Sequence, residues 1–84
     1  MKLFNARMGD ATGTLILARS GSHAAEIFVT HYMAHHGDGP PGFSISQCDL
    51  RQLPLLDDLR ELMRGPASGV VEFDEENGHT LFPL

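Results

Sequence analysis

The segment Ser20–His36, SGSHAAEIFVTHYMAHH, is the longest in the chain with helical periodicity, and the flanking residues read as elements that pack against it. With about 100° between successive residues, Ala24, Ile27, Phe28, His31, Tyr32 and His35 share one face. Glu26, Thr30 and Met33 lie opposite, with Val29 and Met33 leaning towards water. Ser22 is the expected N-cap, because a hydroxyl there accepts from the free N–H groups of the first turn. Glu26 near that end suits the helix dipole, and Gly37 can turn left-handed to stop the helix. Two histidines near the centre of the apolar face, His31 and His35, are the anomaly of the segment.

The flanks supply strands. Lys2–Met8 alternates, with Phe4, Ala6 and Met8 on one side and Leu3, Asn5 and Arg7 on the other. Residues 9–13, GDATG, have hairpin-turn composition. Thr14–Arg19, TLILAR, carries apolar residues on both faces and is predicted to be a central strand. After the helix, Gly37–Gly42 with its two prolines is a surface loop. Phe43–Cys48 alternates again, and Asp49–Gln52 has capping spacing. Pro54 opens a second helix to about Arg64, striped by Leu55, Leu56, Leu59, Leu62 and Met63 and stopped by Gly65-Pro66.

Val70–Glu76 and His79–Leu84 flank Asn77-Gly78, a strong two-residue hairpin signal. That turn predicts pairing of Glu76 with His79, Asp74 with Leu81, Phe73 with Phe82 and Val71 with Leu84. Val71, Phe73, Phe82 and Leu84 then form the buried face, and Glu72, Asp74 and Glu76 line the other. The expected fold is α+β, a small ββαβαββ sheet with two helices packed on one face, forming a single domain over residues 1–84. A chain of 84 residues buries only about 60–65 % of its surface, so a monomer or a homodimer is expected.

Charge narrows the function. Six basic against eleven acidic residues give a net charge of −5, which argues against direct nucleic-acid binding, since that affinity comes mostly from neutralised phosphates. One cysteine, Cys48, excludes an internal disulfide and suits a reducing cytoplasm. No secretion signal and no apolar run near about 18 residues are present, so no membrane association is expected.

No nucleophile elbow, zinc-protease motif or paired-carboxylate cleft is present, so the chain is not expected to be an enzyme, and no cofactor is expected. His31 and His35 have the spacing to share a metal ion, with Cys48 or His36 as a third ligand, but no second ligand pair accompanies them. Ser20-Gly21-Ser22 could hold an anion at a helix N-terminus; an ordinary cap explains it as well. The acidic hairpin is more informative. Residues 65–84 hold Glu72, Asp74, Glu75 and Glu76 and no Lys or Arg. Alternate carboxylates on one strand face stand about 6.5–7 Å apart. Such a row repels itself, so folding does not account for it. It serves either to keep an edge soluble or to meet a basic partner. Asp57, Asp58 and Glu61 on the second helix would extend that surface.

A small acidic α+β chain without a catalytic motif resembles the proteins of phages and mobile elements, the anti-CRISPR inhibitors among them. That resemblance is one of size, charge and plan, with no residue pattern to carry over. It implies a non-catalytic protein that masks a basic macromolecular surface, with a CRISPR-Cas effector complex as partner. A plasmid-borne protein or an antitoxin would look alike. The competing expectation is a small ligand- or metal-binding module using the His-bearing face of helix 22–36.

Overall fold

The computed structural model describes residues 1–9, 13–48 and 57–84. Five strands and two helices follow in the expected order: β1 (Lys2–Arg7), β2 (Thr14–Ala18), α1 (Gly21–His36), β3 (Ser44–Gln47), α2 (Asp57–Arg64), β4 (Gly69–Asp74) and β5 (Gly78–Pro83). The strands form one antiparallel sheet in the order β3-β1-β2-β4-β5. β2 is central, as its two-sided apolar pattern requires. The α+β class and the ββαβαββ order are those expected. The tip of the first turn, the capping stretch 49–52, Pro54, Leu55 and Leu56 lie outside the described residues.

The helices do not share a face. α1 lays Ala24, Ile27 and Phe28 over Phe4, Ala6, Ile16, Ala18 and Val70. On the other side Leu59 of α2, with Leu62 and Met63, covers Leu3, Leu17 and Val71. The reason is visible in the strands: Leu3 follows the opposite face from Phe4, and Leu17 that from Ile16 and Ala18. A strand apolar on both faces leaves one uncovered unless each receives a helix. Ile16 and Leu17 are fully enclosed, each worth about 1.5–3 kcal/mol of burial. The Met1 ammonium donates to the Met63 carbonyl (2.6 Å), pinning the far end of α2.

α1 begins two residues earlier than predicted. Ser20, still extended, is the N-cap: its hydroxyl accepts from the His23 N–H (3.2 Å), and its carbonyl accepts from the Ala24 N–H (2.9 Å). His23 reaches back, its Nδ1 accepting from the Arg19 N–H (3.1 Å). This reciprocal arrangement resembles a capping box with histidine in place of glutamate, which hid it from the sequence pattern. Gly37 ends the helix as expected, left-handed at φ 81°, its N–H on the Met33 carbonyl (2.9 Å).

The C-terminal hairpin departs from its predicted register. Asp74 pairs with Gly78, Phe73 with His79, Val71 with Leu81 and Val70 with Phe82, so Glu75-Glu76-Asn77 form a three-residue turn. A two-residue Asn-Gly turn needs positive φ at both residues. Only Gly78 has it (φ 73°). Asp74 favours the longer turn because its carboxylate accepts from the Glu76 N–H (2.8 Å), as an Asx-turn does. A slip of three residues is odd, and odd slips exchange faces. Phe73 and Phe82 therefore lie on opposite faces. Of the four residues expected to be buried, only Val71 is; Phe73 is 61 % exposed, and Phe82 and Leu84 are open too.

β5 is an edge strand, yet a blunted one. The Leu84 N–H donates to the Ser68 carbonyl (3.1 Å), so alternation turns the N–H groups of Phe82 and Thr80 towards β4 and those of His79 and Leu81 outwards. Pro83, also an outward position, has no N–H to offer. The His79 N–H is taken by the Asp58 carboxylate (2.7 Å).

Candidate functional site

The six acidic residues expected to meet a partner fall into two groups. Glu72 and Asp74 share the α1 side of the sheet with Val70, while Glu76 sits in the turn rather than on the strand. Asp57, Asp58 and Glu61 belong to α2, on the opposite side. The continuous strand-face row of Glu72, Asp74 and Glu76 therefore does not exist. The groups meet at the hairpin tip, because Asp58 reaches across to His79. One carboxylate oxygen accepts both the backbone N–H (2.7 Å) and ring Nδ1 (3.0 Å) of His79, and the other accepts from the Leu59 N–H (2.8 Å). The His79 N–H above all holds the Asp58 carboxyl below the usual carboxylate range; partial burial opposes this, and the His79 ring and Leu59 N–H reinforce it.

Asp57 and Asp58 also face the positive end of the α2 dipole, which accounts for them without a partner. Asp74 is likewise engaged in its turn. Among the described residues no basic side chain pairs with Asp57, Glu75 or Glu76 at this end, nor with Glu72 and Glu61 further back, and all are exposed. Glu75 was missed as a site residue because the shorter turn assigned it to a strand face. Among the described residues no Lys or Arg pairs with any of these acids; Asp58 alone meets a histidine, His79.

The histidine face of α1 is a separate feature. His31 is half-buried and His35 exposed, since the 16-residue helix (about 24 Å) outruns strands of four to six residues. Their rings meet edge to face, centroids 4.4 Å apart. Beside them lies a groove of about 460 Å³ lined by Met8, Thr14, Phe28, Tyr32, His36 and Glu72. A second hollow of about 410 Å³ continues along β2 and β4, again bordered by His31 and Glu72. Burial first, then His35, holds His31 below the usual imidazole range; Glu72 pulls the other way and His36 adds to the depression.

Cys48 does not join this cluster. It packs with Leu3 and Leu17 on the α2 side, where burial pushes its thiol up, away from the thiolate a metal or nucleophilic role needs. The ligand set His31, His35 and Cys48 is thus divided by the sheet, and among the described residues no three ligating side chains converge. At the helix start the first-turn N–H groups of His23 and Ala24 are already capped, as the ordinary reading of Ser20–Ser22 holds.

No helix among the described residues is long and apolar enough to cross a membrane. No protein-family model matches the chain, and neither the curated proteins nor the solved structures contain a significant match to it.

Proposed function

We propose that this chain is a non-catalytic binding protein that docks its acidic hairpin end on a basic surface of a macromolecular partner. The observation carrying this reading is the Asp58–His79 contact, which sets the acidic first turn of α2 beside the turn Glu75-Glu76-Asn77. Of the carboxylates gathered there, Glu75 and Glu76 pair with no lysine or arginine among the described residues, and neither the α2 dipole nor the Asp74 turn accounts for them. Such a surface steers association with a cationic partner and weakens with salt. The resemblance to anti-CRISPR inhibitors makes a CRISPR-Cas effector complex the partner to test first.

The test is a titration of purified effector complexes with the wild-type chain and with Asp57→Asn/Glu72→Gln/Glu75→Gln/Glu76→Gln, at low and raised salt. Asp58 and Asp74 are left intact because both hold local structure. Slower association and a flatter salt dependence in the variant are expected. Equal affinity at low salt would leave the acidic end as a solubility device. A second reading, a small-ligand module, rests on the groove between α1 and β4; ligand-dependent melting with an unchanged quadruple variant would favour it.

A further inference from the structure

The last two turns of α1 hold two ring contacts at i, i+4 spacing. His31 meets His35 edge to face at 4.4 Å, and Tyr32 stacks on His36 at 4.2 Å. Among the described residues, the ionisable groups facing His31 are His35 and His36 on its own helix and Glu72 on β4. β2 borders the hollows at Thr14 and Leu15, and Met8 follows β1, all uncharged. Neutral rings tolerate the edge contact; two imidazolium rings at that distance repel. His35 is exposed and lies in the last turn. A proton on His31 meets one anion among the described residues, Glu72 across the hollow.

We propose that the end of α1 is an acid-operated latch: protonation breaks the His31–His35 contact, and His31 pairs with Glu72, drawing α1 towards β4 and narrowing the groove between them. The groove between them measures about 460 Å³. In acid the same pairing withdraws Glu72 from the acidic surface. The device depends on neither functional reading above.

The experiment is an NMR titration of the histidine rings in the wild type, His35→Gln and Glu72→Gln. Both substituted side chains are exposed, and the backbone spectrum of each variant is the check that it folds. His35→Gln should raise the His31 midpoint and Glu72→Gln should lower it. In acid the wild type should lose ring-to-ring cross-peaks between His31 and His35 and gain contacts from His31 to the Glu72 side chain. Persistence of the His31–His35 cross-peaks after both rings have titrated overturns the proposal. So does a His31 midpoint that neither substitution moves.

Discussion

One carboxylate oxygen of Asp58 binds His79 twice, through the backbone N–H at 2.7 Å and the ring at 3.0 Å. The His79 side chain is 10 % exposed and that of Asp58 38 %, so water reaches the acid more readily than the ring. A single side chain thereby fastens α2 to the edge of the sheet.

Asp58→Ala should expose the His79 amide to hydrogen exchange while the amides between β1 and β2 stay protected, and should lower Tm. Asp58→Asn, which keeps an acceptor, should fall between. The acid's folded pKa lies below its unfolded value, so its contribution to stability is present at neutral pH and disappears as pH falls through the folded value. A gap between wild type and Asp58→Asn that persists in strong acid would contradict this.

Gly69→Ala should be among the most damaging single changes. Gly69 has φ 157°, and a Cβ there would sit 2.1 Å from the Phe82 carbonyl oxygen. Neither backbone can yield without breaking the β4–β5 ladder, so a loss of at least about 2 kcal/mol is expected in urea denaturation. A loss under half of that would mean the strands separate easily.

The hairpin register makes opposite predictions for two large apolar residues. Leu17→Ala removes an enclosed side chain beneath α2 and should cost about 2–5 kcal/mol. Phe73→Ser acts on a ring that rests on His79 yet is 61 % exposed, and should stay within about 1 kcal/mol. Comparable losses for both in the same denaturant series would restore the two-residue turn.

Mild acid should weaken the fold through His31. Burial lowers its folded pKa beneath the unfolded imidazole value, so the unfolded chain takes up a proton first as pH falls. Stability should drop as pH descends from the unfolded to the folded value and flatten below. His31→Gln should remove this part of the pH dependence in melting curves recorded between neutrality and mild acid.

The pattern of apolar residues made most elements legible: periodicity located α1, and alternation located β1, β2 and β3 to within a residue or two. The helix positions were also legible in principle, since Leu3 beside Phe4 and Leu17 beside Ile16 demand cover on both sides of the sheet. The hairpin register was not, because Asn-Gly and Asp-x-Glu-x-Gly both encode good turns. The choice rests on a hydrogen bond from the Glu76 N–H to the Asp74 side chain that periodicity cannot weigh. The acidic surface was read as a row on one strand; its assembly from two elements depends on Asp58 meeting His79 from 21 residues away. A distant contact of that kind leaves no local signal.

The blunted margin of β5 bears on how copies of this chain could associate. An open-ended ribbon of sheets needs two receptive margins on every copy, one to accept and one to pass on. Here Asp58 occupies one outward N–H and Pro83 lacks another, which leaves Leu81 alone along that strand. Among the described residues the short β3 is the margin still able to pair. Association through it consumes the receptive margin of both copies at once, so growth by strand addition terminates at a pair rather than propagating into a fibre.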